Sequence, residues 1–346
     1  MKRPFLIETM LLGSGIKNLR SVGSDVREIM YYDELSSTFD ITLLDYDPED
    51  KIEETHFLVQ KCLKNKWARS ILEPFFKRKN FSGKGVVRAK QFWGSWSALI
   101  YARILRKNFI LRCGYIWSRS VSFQRPKLKK FVIRFLEAFE SFILRQADGC
   151  IYASTDIANH YNSIQKKPFI TIPNGFDTSS FKPITHIQQE YDFVYTGRLI
   201  ELKRIKEMVE NLDEKHSLLV IGDGPLKSLV LNKKNIDYLG PVPNSKLPSL
   251  LNKSKFFISL SKTEGSPKCL FEGILCGLYP IVSDIPAHVD IIAELGYGKI
   301  WTPGDKLGSY DENLEVINEK LSLFRERYSM KNITKSEAEF CLKFVR

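Results

Sequence analysis

The side chains whose types and spacing could do chemistry gather in the second half of the chain. Arg198 and Lys203 stand five residues apart in Gly197-Arg198-Leu199-Ile200-Glu201-Leu202-Lys203, close enough for both to reach one polyanion. Arg offers a planar fork of donors and Lys a movable point charge, a pair suited to a diphosphate that gains charge as it leaves. Glu264 and Glu272 bracket seven residues in Glu264-Gly265-Ser266-Pro267-Lys268-Cys269-Leu270-Phe271-Glu272. Carboxylates only accept hydrogen bonds, so they suit the vicinal hydroxyls of a ribose or sugar. Between them the backbone of Gly265, Ser266, Pro267 and Lys268 could meet phosphate oxygens. Gly222-Asp223-Gly224-Pro225 adds a glycine turn that opens a helix, where free amides favour phosphate. Each feature alone has a plainer reading: surface cations near a helix start, a capping arrangement, a tight strand-to-helix turn.

Such residues need a frame to bring them together. In this half, short and nearly continuous apolar runs over 191–196, 217–221, 237–239, 255–260 and 279–283 read as strands. They alternate with helical stretches over 204–211, 226–232, 246–252 and 268–276. That pattern is a parallel sheet covered on both faces, and each feature above follows a strand, where ligands sit in such folds. The first half is compatible with the same plan. It has strands over 5–10, 40–45 and 109–112, part of one at Val86-Val87, and another over 149–153, with a helix from about 17 to 35. Leu128, Phe131, Phe135, Phe139 and Phe142 recur at helical spacing. The expected fold class is α/β, with two Rossmann-like doubly wound domains facing across a cleft. The domains are placed at 1–183 and 184–328, followed by a helix over 329–346 that could pack back on the first.

The ordered set GR-x4-K, GDGP, EG-x6-E and CGLYPIV, preceded by Ile172-Pro173-Asn174-Gly175-Phe176-Asp177, resembles the C-terminal half of retaining family 4 glycosyltransferases of the GT-B fold, as found in bacterial polysaccharide biosynthesis. The likeness runs from about Ile172 to Gly298, and the order is more specific than any one motif. It implies that Arg198 and Lys203 hold the donor diphosphate, that Glu272 binds the nucleotide ribose, and that Glu264 faces the donor sugar. Gly222, Gly224, Gly265, Ser266, Pro267 and Lys268 would line the donor site, and the backbone near Val242 in Gly240-Pro241-Val242-Pro243-Asn244 would meet the base. Gly13-Ser14-Gly15 resembles the family's N-terminal glycine loop, which places Gly15 with the donor; a plain turn before a helix explains it nearly as well. Many relatives carry a His at the end of the fourth strand of the first domain. Here Arg112-Cys113-Gly114-Tyr115 stands there, so either Arg112 serves acceptor or catalysis in its place, or the strand is offset.

Asp45-Tyr46-Asp47 has the form of the metal-binding pair of GT-A transferases, but it falls in an acidic turn and is read as a solvated loop. No metal site and no cofactor are expected. The six cysteines are scattered without a CxxC pair, which fits a reducing compartment. Glu8 interrupts the apolar start of the chain, so that start reads as a first strand rather than a signal peptide, and no apolar run is long enough for a membrane span.

Charge is distributed unevenly. Residues 61–145 hold 21 Lys and Arg against three acids, a net +18 within a chain of net +12, so the remainder nets −6. Aromatic residues are interleaved with these cations, and Arg125-Pro126-Lys127-Leu128-Lys129-Lys130 leads into the Phe series. An anionic membrane surface met through Lys61 to Arg145 fits this pattern. A solvated basic face fits it too, with the Phe series as core. Nucleic acid would fit the charge, but no recognition motif accompanies it and none is expected as a partner. The expectation is a hexosyltransferase, cytoplasmic and peripheral on the inner face of the membrane. It would move sugar from a nucleotide diphosphate donor to a glycan or lipid-linked acceptor, with retention and without a metal, in lipopolysaccharide or capsule synthesis. A nucleotide-sugar sensor, a GT-B epimerase and a nucleic-acid binder remain as alternatives.

Overall fold

A computed structural model describes residues 3–10, 25–45, 58–60, 65–77, 81–124, 130–308 and 318–346. The chain forms two compact units, Met1–Gly175 with Met330–Arg346, and Phe176–Ser329.

In the first unit the described strands are β1 (Phe5–Thr9), β2 (Asp40–Leu44), β3 (Leu58–Gln60), β4 (Gly85–Ala89), β5 (Phe109–Cys113), β6 (Gly149–Tyr152) and β7 (Phe169–Thr171). All pair in parallel, in the order β3-β2-β1-β4-β5-β6-β7. Side chains alternate across the sheet with the two-residue period of a strand. Phe5, Ile7, Val87, Phe109 and Leu111 enter one core, while Leu6, Val86, Ile110 and Ile151 enter the other. The first core is covered by α3 (Ser95–Leu105), α5 (Lys130–Gln146) and α6 (Thr155–Tyr161), and the second by α1 (Asp25–Ser36). Helices α2 (Lys66–Lys77) and α4 (Trp117–Gln124) lie against α3 and α5 respectively.

The second unit repeats the plan with β8 (Tyr191–Thr196), β9 (Leu218–Ile221), β10 (Ile236–Gly240), β11 (Ser254–Ser259), β12 (Tyr279–Ser283) and β13 (Lys299–Trp301). The order is β10-β9-β8-β11-β12-β13, again parallel throughout. Its described helices are α7 (Ile205–Asn211), α8 (Leu247–Leu251), α9 (Lys268–Leu275), α10 (Pro286–Leu295) and α11 (Asn318–Arg327). The last helix, α12 (Met330–Leu342), returns to the first unit, where Ile333, Ala338, Phe340 and Cys341 complete its second core.

Some elements differ from the sequence reading. Strands β3, β7 and β13 are three residues each, too short to show an apolar period. The helix expected over 226–232 is only a single 3-10 turn, Lys227–Leu229, because Asn232 takes a left-handed φ of 60° that breaks the helical path. The units divide after Gly175, eight residues before the boundary placed at 183. Phe176 and Phe181 are buried in the second core, and Phe176 stacks on Phe271 with ring centroids 4.8 Å apart. Asp45, read as part of a solvated loop, is 1% exposed where β2 ends; Tyr46 and Asp47 lie outside the described residues.

Candidate active site

Because every strand of the second sheet runs the same way, the loops after β8, β9, β10, β11 and β12 leave at one edge. Backbone hydrogen bonds link the first four of these loops along this rim. Gly222 N–H donates to Gly240 O (2.9 Å), Leu199 N–H to Asp223 O (2.9 Å), Leu226 N–H to Leu199 O (3.0 Å) and Lys262 N–H to Leu202 O (2.8 Å). The glycines of the GDGP turn make this fit possible. A Cβ on Gly222, whose φ is 132°, would sit 2.0 Å from Gly197 O, and one on Gly224 would sit 2.4 Å from Leu199 O. The GDGP turn thus seats closely against the Arg198 loop.

Arg198 is exposed on this rim, and among the described residues its guanidinium makes no hydrogen bond or ion pair. Its carbonyl accepts from Tyr195 Oη at 2.9 Å, which pins the loop beneath it. Lys203 closes a 3-10 turn, Glu201–Lys203, and forms an ion pair with Glu264. Glu264 also accepts from Ser261 Oγ at 2.7 Å. The structure therefore brings together two residues 61 positions apart, one from each predicted pair. Glu272 lies in α9 and is 8% exposed. Between the acids, the Cys269 thiol is pushed up to about 11, first by burial and then by Glu272, with Lys203 pulling the other way. Gly265 and Ser266 are half-buried before the start of α9, Pro267 is buried at its cap, and Lys268 is exposed at its first position. Val242 is half-buried against the core, following Gly240, whose φ is 70°.

One group under the rim escaped the sequence reading. His288, in the first turn of α10, is fully buried beneath the Glu264 loop. Its Nε2 lies 3.3 Å from Ser259 Oγ, and its Nδ1 lies 3.1 Å from Ser283 Oγ and 3.3 Å from Ser283 O. Ser283 Oγ in turn donates to Ser261 O at 2.6 Å. His288 thus ties the ends of β11 and β12 to the residue that holds Glu264. Burial pushes its pKa down to about 4, against the pull of Glu264, so it is neutral at pH 7. The signal available in the sequence was a lone His three residues into a helix after a strand, which by itself reads as core.

In the first unit, Arg112 ends β5 among buried charges. Its Nε donates to Glu337 Oε1 (2.8 Å) and its Nη2 to Asn174 Oδ1 (3.1 Å). Glu337, on α12, also takes Arg88 Nη1 (3.0 Å) and the Tyr31 hydroxyl, while Glu8 takes Arg88 through both oxygens (3.0 and 2.6 Å). Burial opposes the charge on Arg112, but Glu337 outweighs it and its pKa is raised. Arg112 also lines an open pocket with Arg27, Lys90, Asn174 and Met330. Arg88 and Arg112 show that part of the +18 is spent inside the core. Gly15 lies outside the described residues.

Residues 177–329 match the profile of the family described as Glycosyl transferases group 1. The second unit belongs to the glycosyl transferases group 1 family. Among curated proteins, a 95-residue stretch is 33% identical to TuaC of Bacillus subtilis (strain 168), provisionally named a teichuronic acid biosynthesis glycosyltransferase, covering 27% of this chain and 24% of that protein. A 161-residue stretch is 26% identical to the GDP-mannose:cellobiosyl-diphosphopolyprenol alpha-mannosyltransferase of Xanthomonas oryzae pv. oryzae (strain PXO99A), covering 42% of each. The chain thus spans well under two thirds of the length of both curated relatives. Anabaena Alr3699/HepE, solved in complex with UDP, superposes over 98% of this chain and 100% of its own with a TM-score of 0.73 at 13% identity. That likeness carries the fold: GT-B, with two Rossmann-like domains.

Proposed function

We propose that the chain is a glycosyltransferase that moves a hexosyl residue from a nucleotide diphosphate sugar to a glycan acceptor, probed first on lipid-linked acceptors, with retention at the anomeric carbon. The observation that carries this reading is the Lys203–Glu264 ion pair at the strand ends of the second unit, on a rim that also carries the exposed Arg198, with Glu272 buried in α9. In this reading Arg198 and Lys203 hold the diphosphate and stabilise the charge that grows on it during departure, without a metal. Lys203 pairs with Glu264, so a diphosphate that takes Lys203 competes with that carboxylate and frees Glu264 to meet the sugar. Glu272 accepts from the ribose hydroxyls at the start of α9, where amides not bonded within the helix face the phosphates. Arg112 serves as a positioning residue that anchors α12 through Glu337. The complexes of Anabaena Alr3699/HepE with UDP and UDP-glucose support a nucleotide-sugar donor, and the Xanthomonas relative's name supports a lipid diphosphate acceptor. The basic stretch between Lys61 and Arg145 would draw the protein to the anionic membrane surface where such acceptors reside. Among the described residues no helix is long and apolar enough to cross a membrane.

The test is a calorimetric screen of nucleoside diphosphates and nucleotide sugars, followed by transfer assays with the binding donor in the presence and absence of a chelator. Binding of one nucleotide series, chelator-insensitive transfer and an NMR-assigned product that keeps the donor's anomeric configuration are the expected results. A folded protein that binds none of these ligands would refute the reading.

A further inference from the structure

We infer that α2 and α5 of the first unit form a lipid-insertion face, on which exposed aromatic side chains enter the acyl region of an anionic bilayer. This inference rests on the proposed meeting of the first unit with a membrane, and it adds the residues and the mode of contact.

Helix α5 has two apolar sides. Leu136, Ile143 and Leu144 are buried against the core, whereas Phe131, Phe135 and Phe142 are 76%, 62% and 53% exposed. At about 100° per residue these three Phe fall within about 40° of one another, as one stripe turned away from the protein. Arg134 and Arg145 are exposed beside it. Helix α2 is inverted relative to an ordinary surface helix. It buries Ser70, Glu73 and Pro74 and exposes Ile71, Leu72, Phe75 and Phe76, the last at 73%. The two helices flank one aromatic base. Trp67 of α2 stacks on Trp96 of α3 with centroids 6.2 Å apart and planes 6° apart, and Trp96 meets Phe139 of α5 edge-on at 6.2 Å. Trp96 Nε1–H donates to Ser70 Oγ at 3.0 Å, fixing the polar side of α2 inward.

Eight large apolar side chains, Trp67 among them, exposed on two helices that both pack against α3 mark a contact surface rather than scattered exposure. Charge selects the occupant. Of the three acids between residues 61 and 145, Glu73 and Glu140 are buried, which leaves Glu137 as the exposed one. A second copy would bring the same positive surface against itself, whereas anionic headgroups around inserted aromatic rings complement it.

The full-length protein can be tested with vesicles of phosphatidylcholine alone and of phosphatidylcholine with phosphatidylglycerol. We expect binding to the anionic vesicles, and quenching by acyl-brominated lipid of tryptophans introduced singly as Phe76→Trp and Phe135→Trp. Replacing Phe75, Phe76, Phe131 and Phe135 together by Ser should lower the partition coefficient at least about tenfold, because four rings leave the lipid. Thermal midpoint and nucleotide binding should be retained in that variant. Binding without quenching at either position would keep the electrostatic reading of the membrane contact and overturn insertion. Absence of vesicle binding would overturn both and leave the donor-site reading intact. A dimer in sedimentation velocity that the Ser variant dissociates would assign the face to a second copy and overturn the proposal.

Discussion

Replacing Glu337 by Gln keeps the side-chain volume of α12 and removes one buried negative charge. In the wild-type protein that carboxylate meets Arg112 Nε at 2.8 Å, Arg88 Nη1 at 3.0 Å and the Tyr31 hydroxyl, with Arg88 and Glu337 excluded from solvent and Arg112 buried. Arg88 keeps the bidentate Glu8, so its charge stays compensated. Arg112 is left with the neutral oxygen of Asn174. An uncompensated buried charge of this kind costs about 3–5 kcal/mol. With a urea slope of about 1–3 kcal/mol/M, the midpoint should fall by about 1–5 M. Tryptophan fluorescence is a suitable probe, since four of the five Trp lie in the first unit. The sign with pH follows from the carboxylate. Burial pushes Glu337 up, but Arg112 and Arg88 outweigh it and hold its pKa below the ordinary value. Its contribution is therefore complete above about pH 4.3 and is lost as pH falls through the lower folded value, so the gap between wild type and variant should close in acid. A double change, Glu337→Leu with Arg112→Leu, should be less damaging than Glu337→Leu alone, because it removes the stranded charge. A loss below about 1 kcal/mol in the Gln variant, or a double change as costly as the single one, would refute this account of the cluster.

At the rim, Glu272→Ala should weaken binding of the donor's nucleoside diphosphate by about 1–3 kcal/mol in calorimetry, since ribose hydroxyls lose a charged acceptor. Arg198→Ala and Lys203→Ala should each lower kcat more than they raise KM, by about 10²–10³ if each stabilises the departing diphosphate, and full turnover would remove that residue from the role. His288→Ala should lower kcat while leaving nucleotide affinity nearly unchanged, because His288 acts through Ser283 and Ser261 on Glu264; equal losses in both would point to collapse of the domain instead. Since His288 is neutral when folded, with a pKa near 4, its contribution to stability is full above about pH 6.5 and fades as pH drops toward 4. Unfolding midpoints of wild type and His288→Gln across that window check this.

The doubly wound parallel sheets were legible in the sequence because a strand buried on both faces is a local apolar run, and its carboxyl end is marked by the Gly or polar residue that follows. The order of the rim loops was legible for the same reason, since parallel strands send every such loop to one edge. Tertiary structure alone decided the partners. Glu8, Arg88, Arg112 and Glu337 form one buried cluster across almost the whole chain, and no local pattern pairs a charge with a partner hundreds of residues away. His288 likewise gains meaning only from Ser259 and Ser283, which arrive on two other elements. The Phe series of α5 had the period of a helix, but α5 is apolar on two sides, and periodicity locates a stripe without saying which way it faces. Packing settled that: Leu136, Ile143 and Leu144 fit the sheet, and Phe131, Phe135 and Phe142 were left outside.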